Sequence, residues 1–334
     1  MQKRGDTPTE FVSSVRADER DDRTRRRVTP LLHDQRGGRA RRPWYRTRAA
    51  KGALYASPAA VFVLAFFVVP LLLVGQMSAS DWPLLQGNQG TNFPDNYEGM
   101  ADDRLFWPAV GFTLKYTVIV VAALMIFAMA MALLVQEKRP GVGLLRTAYF
   151  LPVALGLASA SLLFWGFYSP SIGPIDPILQ SLGLIDEPIR WIGTPNMALA
   201  STVALIVWKF AGFFMLILLV GLQSIPMEVY EAARVDGASK WQTFWRVTLP
   251  LLRPSIALCL IISVTGSLLA FDQFFILTNG GPDNSTTTIV MLIYREAFRQ
   301  FDLGKAAAIS IVVLLVLLVI NITQFRLLRR NVEE

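Results

Sequence analysis

Six stretches of this sequence are each long and apolar enough to cross a lipid bilayer, which leaves the chain few possible folds. A helix needs about 20 mainly apolar residues to span the hydrocarbon core. Backbone groups must be paired internally there, so helices are the expected solution for stretches of this length. The stretches run over residues 53–75, 112–135, 147–169, 197–222, 254–277 and 304–325. We therefore predict an all-α, polytopic membrane domain over residues 53–326, flanked by tails 1–52 and 327–334.

The composition excludes several functional classes. The only histidine, His33, lies in the first tail, and the only cysteine is Cys259. Histidine-based catalysis in the membrane domain, a disulfide framework and a thiolate metal cluster are therefore excluded. The pattern G-x-x-x-x-G-K-[ST] does not occur, so the chain is not itself a P-loop ATPase. We expect no enzymatic activity, no catalytic or metal-binding residues, and no cofactor bound by this chain.

The distribution of Lys and Arg sets the orientation, because cytoplasmic loops carry an excess of positive charge. If the N-terminus is cytoplasmic, segments 1–52, 136–146, 223–253 and 326–334 lie inside and hold 25 Lys and Arg, against 6 in the outside segments. We therefore predict a multi-pass membrane protein with both termini in the cytoplasm.

The first tail is rich in arginine, with 15 basic and 7 acidic residues over positions 1–52. Such a charge run is compatible with nucleic-acid binding, but no folded aromatic platform accompanies it. A disordered arm that fixes orientation and contacts anionic lipid headgroups accounts for the same charges. We favour the second interpretation and expect no nucleic acid among the partners.

The segment between the fourth and fifth stretches, residues 223–253, has the pattern of a helix, a break and a second helix. Pro226 suits a first helical position, and Gly237 can adopt the left-handed conformation that ends a helix. Ser239 and Gln242 have the spacing of a capping box for the second helix. An amphipathic hairpin lying on the headgroups would share these features, so spacing alone leaves its role open.

The residues of this segment carry a specific resemblance. Glu231-Ala232-Ala233, then Asp236-Gly237-Ala238, then Leu249-Pro250 resembles the EAA loop of bacterial ABC-importer permeases. The chain is also similar, over about residues 53–326, to the carbohydrate-uptake branch of that family (maltose/glycerol-phosphate type, binding-protein-dependent). Motifs shared with that branch include Leu151-Pro152, Trp208, Gly221-Leu222-Gln223, Phe271-Asp272, Thr278-Asn279-Gly280-Gly281-Pro282 and Ala306-Ala307.

The resemblance implies a type I ABC importer permease fold, a location in the bacterial cytoplasmic (inner) membrane and a set of partners. A homologous second permease would complete the pathway, a homodimeric ATPase subunit would bind ATP and Mg, and an extracytoplasmic binding protein would deliver the substrate. The EAA loop would dock on the ATPase. The implied coupling residues are Glu231 as the charged contact, Ala232 and Ala233 as the close-packing surface, Gly237 as the turn, and with them Asp236, Ala238 and Pro250.

Polar and aromatic side chains in the spans suggest where a sugar could bind, since sugars offer hydroxyl groups and apolar faces. The candidates are Trp165, Tyr168, Trp208, Lys209, Phe213, Asp272, Gln273 and Phe274. A lysine near the centre of a span costs about 2.5–3.5 kcal/mol, so Lys209 should face protein or a cavity. Pairing with Asp272, snorkelling, and hydrogen bonds to backbone carbonyls all remain open for it.

The predicted function is that of an importer permease for a sugar, such as an oligosaccharide or sugar derivative. Glycerol phosphate or another small polar solute is the alternative within the family, although a phosphate would favour clustered cations and only Lys209 is available. A secondary transporter would be expected to carry carboxylates within its spans or an inverted repeat. No carboxylate occurs in the spans before Asp272, and no inverted repeat is evident.

Overall fold

The computed structural model describes residues 48–137 and 139–330, so most of the first tail, including His33, lies outside the described residues. The chain divides into two units, residues 1–58 and 59–334. The smaller unit is described only from Arg48, where the helix Arg48–Val63 begins. The larger unit contains the rest of the described chain.

Four helices in the described part of the chain are long and apolar enough to cross a membrane unbroken. We number the spans as the sequence predicts them, and these four are the first, second, fourth and sixth. They run over Tyr55–Ser78, Phe106–Val135, Pro195–Gln223 and Leu303–Arg326. The first contains a π-helical turn, Leu64–Val68, followed by Val69–Ser78, and the last helix continues to Arg330, into the region predicted as a separate tail.

The third predicted span is not a single helix. It consists of the half-helix Val142–Ala154, whose last turn Leu151–Ala154 is 3₁₀, and the helix Leu157–Phe167, bent by 96°. Pro152 lacks an N–H donor, and Leu155 and Gly156 are both extended, with ψ of 142° and 146°. We call residues 152–156 the elbow. A proline in a span can kink or start a helix, but the predicted single stretch over 147–169 did not include a break of this size.

The fifth predicted span, 254–277, is also divided. The helix Arg253–Leu268 stops, and a separate short helix Asp272–Leu277 follows. The Thr288 hydroxyl donates 2.7 Å to the Ala270 carbonyl at the break, which satisfies a group that the interrupted helix leaves free. On its other side, the span is preceded by Lys240–Leu251, bent by 67° relative to it.

The core of the larger unit lies where the second and fourth spans pack together. Tyr116, Val120, Leu205, Met215 and Leu218 are almost completely buried there. A Cβ at Gly212 would lie 1.9 Å from the Tyr149 carbonyl oxygen, so only glycine lets the half-helix Val142–Ala154 seat on the fourth span.

Short strands and helices lie at the end of the bundle opposite the 223–253 segment. The strands Ser80–Asp81 and Gly90–Thr91 form an antiparallel pair, a minor addition to the predicted all-α fold, with Ser80 opposite Thr91. Short helices Asp95–Ala101, Ile175–Ser181 and Ile289–Phe298 lie in the segments between the predicted spans. The Asn96 side chain donates to the Ser78 and Ser80 carbonyls and joins the hairpin to the first span.

Candidate functional site

The 223–253 segment folds as a helix, a tight turn and a second helix, as predicted. The first helix is Met227–Val235, and the second comprises Lys240–Thr243, the π-helical turn Phe244–Thr248 and Leu249–Leu251. Gly237 follows the first helix with φ of +75°, which confirms its predicted left-handed conformation. Pro226 is the N-cap residue rather than the first helical residue.

The predicted capping box is also present. The Ser239 hydroxyl accepts a hydrogen bond from the Gln242 backbone N–H at 3.3 Å, and the Ser239 backbone N–H donates to Gln242 Oε1 at 2.8 Å. Two N–H groups that would otherwise lack partners at this helix end are therefore satisfied. Because the turn and cap use only neighbouring residues, the segment can keep its shape when the spans move.

The surface of the first helix differs from the predicted one in one respect. Glu231, Ala232, Asp236 and Gly237 are exposed and Ala238 is half-buried, but Ala233 is buried. Ala233 packs into its own chain, so Ala232 and Ala233 do not form one close-packing surface. Val235, which is 88% exposed, was not predicted as part of this surface. The signal that could have identified it is an apolar side chain on a short exposed helix.

The second helix of the segment contributes a cluster of aromatic rings. Trp241 contacts Trp245 and Phe244 with ring centroids 5.5 and 6.4 Å apart, and Trp241 is largely exposed. Pro250, half-buried, lies one residue before the end of this helix at Leu251. The Thr248 hydroxyl lies 3.4 Å from the Tyr230 hydroxyl, which links the two helices of the segment.

A cavity of about 380 Å³ lies within the bundle and contains three of the predicted pathway residues. Phe213, Asp272 and Gln273 line it. Side chains that were not predicted complete the wall with rings and hydroxyl groups: Tyr116, Phe210, Phe271, Ser263 and Ser267. Helix positions that are distant in sequence bring these residues together, so no local pattern could have identified them.

Gln273 and Tyr116 form the polar centre of the cavity wall. Gln273 Nε2 donates to the Tyr116 hydroxyl at 3.2 Å, and both side chains are buried. Gln273 Oε1 is buried with no hydrogen-bond partner among the described residues. A buried acceptor without a partner is costly, and a ligand hydroxyl group would satisfy it once movement of the cavity wall exposes this oxygen.

The other aromatic candidates lie outside this cavity. Phe274 is completely buried and packs edge-on against Tyr116 at 4.8 Å. Tyr168 donates its hydroxyl to the Ser201 carbonyl at 2.9 Å, while Trp165 is nearly half exposed. Trp208 lines a separate groove of about 700 Å³ between the second and fourth spans.

Lys209 is buried, and its ammonium group faces the elbow rather than Asp272. It donates to the carbonyl oxygens of Pro152 and Val153 at 3.4 Å each and also to that of Leu155. Of the three possibilities that the sequence left open, the structure has the hydrogen bonds to backbone carbonyls. Lys209 is not among the residues that line the cavity.

An ionic cluster that was not predicted from the sequence lies at the end of the bundle opposite the 223–253 segment. Lys305 Nζ is 2.5 Å from Asp103 Oδ2 and 3.4 Å from Glu296 Oε2. Burial acts to raise the pKa of Asp103, but the hydrogen bond from Lys305 and that from the Leu105 backbone outweigh it and lower the pKa. Burial raises the pKa of Glu296, despite the nearby ammonium group.

Comparisons with known proteins agree on the family. A family model described as "Binding-protein-dependent transport system inner membrane component" matches residues 138–332. The chain is 34% identical over 277 residues to the sulfoquinovosyl glycerol transport system permease protein SmoG of Agrobacterium fabrum, covering 83% of this chain and 89% of that protein. It is 32% identical over 273 residues to the multiple sugar-binding transport system permease protein MsmF of Streptococcus mutans, covering 81% and 92%.

A solved structure has the same fold. It is a chain of a bacterial alginate ABC transporter in complex with an alginate pentasaccharide-bound periplasmic protein. The TM-score is 0.75 at 25% sequence identity, and the match covers 86% of this chain and 98% of that chain. The predicted type I importer permease fold is therefore confirmed, and the chain belongs to the family of binding-protein-dependent transport system inner membrane components.

Proposed function

We propose that this chain is one of two permease subunits that form the translocation pathway of an ATP-driven sugar importer. The observation that carries the proposal is the exposed helix Met227–Val235, joined directly to the fourth span at one end and through the second helix to the fifth span at the other. A partner that displaces this helix acts on two spans at once. The names of the similar permeases support a sugar as the substrate.

The proposed partners follow the resemblance of the 223–253 segment to an EAA loop. A homodimeric ATPase subunit binds ATP and Mg and contacts Glu231, Ala232, Asp236 and Gly237, which are exposed on this segment. A homologous second permease completes the pathway, and an extracytoplasmic binding protein delivers the sugar at the opposite end. Both termini lie in the cytoplasm, in keeping with the excess of Lys and Arg in the inside segments.

The chemistry of the cavity suits a neutral polar ligand. Phe210, Phe213 and Phe271 offer ring faces, Asp272 and Gln273 offer acceptors, and no Lys or Arg is among the described residues that line it. Its volume of about 380 Å³ falls within the range of about 300–1,000 Å³ that is usual for small-molecule sites. This wall favours a sugar over glycerol phosphate, whose charge would call for cations.

Gly237→Pro tests the proposed function. Proline fixes φ near −65° and lacks the N–H that Gly237 donates to the Arg234 carbonyl at 3.0 Å, so the turn cannot form. We expect the variant to assemble in the membrane but to lose ATP-driven sugar uptake in proteoliposomes containing the second permease, the ATPase and the binding protein. Measurement of uptake and of ATP hydrolysis on the same vesicles separates uncoupling from loss of the ATPase.

Gly183→Pro is the matched control. Gly183 also has positive φ, of +68°, and donates its N–H to an i−3 carbonyl at 3.0 Å, but it lies at the other end of the bundle after helix Ile175–Ser181. We expect this variant to retain most of the uptake. Full ATP-driven uptake by Gly237→Pro would contradict the proposed function.

A further inference from the structure

The elbow of the third span leaves backbone carbonyl groups without helical partners. The half-helix Val142–Ala154 ends there, and the next two residues are extended. The last four carbonyls of any helix have no partner within it, and in hydrocarbon they cannot turn to bulk water. The Pro152 carbonyl accepts the Leu155 N–H at 3.3 Å, which leaves the carbonyls of Val153 in the last turn and of Leu155 just after it for another part of the protein to satisfy.

Lys209 on the fourth span donates to both of these carbonyls and also to that of Pro152. Its ammonium group has three N–H donors and no acceptor, which matches three carbonyl oxygens. The site also has a favourable charge, because the C-terminal end of a helix carries a partial negative charge. A buried lysine in a span costs free energy unless its ammonium group is hydrogen-bonded. Breaking the contact with the elbow would therefore be unfavourable, and the contact holds the elbow against the fourth span.

Two further contacts hold the same half-helix. Gly212, one turn after Lys209 on the same face of the fourth span, allows direct backbone contact with Tyr149. At the beginning of the half-helix, Arg146 Nη2 donates 2.6 Å to the Val135 carbonyl at the end of the second span. The half-helix is therefore held along its length, and Lys209 makes the contact nearest the elbow.

The elbow contributes to the cavity wall, and the fourth span that it contacts leads to the 223–253 segment. The fourth span ends at Gln223, and only three residues separate it from the helix that begins at Met227. Val153 in the elbow and Leu157, the residue that follows it, are part of the cavity wall. A displacement of the helix Met227–Val235 therefore reaches the part of the cavity wall formed by Val153 and Leu157 through the fourth span, provided that the elbow moves with that span.

We propose that Lys209 is a positioning residue that fastens the elbow to the fourth span, so that displacement of the 223–253 segment is passed to the cavity wall at Val153 and Leu157. This inference rests on the proposed function. It assigns to Lys209 neither substrate contact nor an ion pair with Asp272. Removal of the ammonium group leaves the cavity residues in place but lets the elbow move independently of the fourth span.

The test compares Lys209→Met with Lys115→Met in the assembled importer. Methionine has a similar length to lysine but neither a charge nor a hydrogen-bond donor. Lys115, the control position, is an exposed lysine of the second span. Spin labels on Leu151→Cys and Val220→Cys, both about two-thirds exposed, report the distance from the half-helix to the fourth span in a Cys259→Ala background. Distances are measured by pulsed electron paramagnetic resonance without nucleotide and with ATP trapped.

In the protein with Lys209, we expect one narrow distance distribution that is the same in both nucleotide states. Lys209→Met is expected to broaden it and to raise the ATP hydrolysed per sugar imported by about tenfold or more, whereas Lys115→Met changes neither. Lys209→Arg, which keeps charge and donors, is expected to restore the ratio. A role limited to folding would lower the amount of assembled importer without changing this ratio.

Two results would overturn the proposal. One is a Lys209→Met importer whose ATP-to-sugar ratio and distance distribution equal those of the parent. The other is a shift of the Leu151–Val220 distance by more than ~3 Å, half a helical turn, between the nucleotide states of the parent. This second result needs no variant at position 209, so it does not depend on whether such a variant folds. Absence of sugar uptake by the parent importer would instead contradict the proposed function.

Discussion

The 223–253 segment and the cavity are built from contacts of very different range. In the segment, the turn at Gly237 and the cap at Ser239 and Gln242 join residues no more than five positions apart. In the spans around the cavity, Gln273 bonds Tyr116 across 157 positions and Lys209 reaches Pro152 across 57. The segment can therefore be displaced as a unit, whereas the cavity changes shape only when whole spans move relative to one another.

The largest loss of stability is expected where an added side chain would overlap the backbone of a neighbouring span. Gly212→Val places a side chain against the Tyr149 backbone, whose carbonyl oxygen would lie 1.9 Å from the new Cβ. We expect a loss of stability of about 3 kcal/mol or more and little assembled protein. The thermal midpoint and the monodisperse yield after membrane extraction measure this.

Gly111→Val is the control for that substitution. Gly111 lies in the second span, and a Cβ there meets nothing within 4 Å. The same change in side chain should therefore leave yield and thermal midpoint nearly unchanged. Equal losses at both positions would mean that valine in a span, rather than the contact with Tyr149, is responsible.

The next effect concerns the cavity wall itself. Gln273→Leu removes the acceptor that has no partner among the described residues and the hydrogen bond to Tyr116. Because a hydrogen bond to a ligand hydroxyl is worth about 1–1.5 kcal/mol, we expect the KM of sugar uptake to rise about tenfold with assembly unchanged. Gln324→Leu, at another glutamine with an unpartnered oxygen but outside this cavity, should leave KM unaltered.

A local contact should give a smaller and confined effect. Ser239→Ala removes the hydroxyl that accepts the Gln242 N–H, at a cost of about 1 kcal/mol. We expect faster hydrogen exchange over residues 240–243 and unchanged exchange in the spans. Ser181→Ala, which removes a serine hydroxyl that donates near the end of a helix rather than capping its beginning, serves as the comparison. Spread of the effect into the fourth span would contradict a segment built from local contacts.

The smallest effect is expected in the ionic cluster of Asp103, Glu296 and Lys305. The pKa of Asp103 is lowered in the folded protein, so its carboxylate adds stability above its ordinary pKa of 3.8, and this is lost as pH falls through the lower folded value. Asp103→Asn should lower the thermal midpoint slightly at pH 7, with the difference from the parent shrinking as the solution becomes acidic. A difference in thermal midpoint that grows as the pH falls would contradict the stabilising role of the Asp103 carboxylate.

Glu296→Gln sharpens the same comparison. Burial raises the pKa of Glu296, so the ionised carboxylate lowers the stability of the folded protein at neutral pH. We expect this variant to keep or slightly increase the thermal midpoint at pH 7, opposite to Asp103→Asn. Both midpoints come from the same thermal scans, with the parent protein measured in parallel.

The sequence predicts what local physics determines. Apolar length identifies the membrane helices, and the residue types and spacing of Gly237, Ser239 and Gln242 are enough to define the turn and cap. The bend of 96° at the elbow could not be predicted, because Pro152 permits a break while the contact with Lys209, 57 positions away, holds it. The cavity could not be predicted for the same reason: Tyr116, Ser263 and Ser267 look like ordinary span residues until the spans pack.

The contact made by Glu231 tests the proposed coupling most directly. A photoreactive thiol reagent attached to Glu231→Cys, in the Cys259→Ala background, can be activated in the assembled importer in membranes with and without ATP. We expect a covalent product with the ATPase subunit whose yield changes with nucleotide. Products with lipid alone, or labelling of this cysteine in intact cells by a reagent that cannot cross the membrane, would contradict the proposed role of the 223–253 segment.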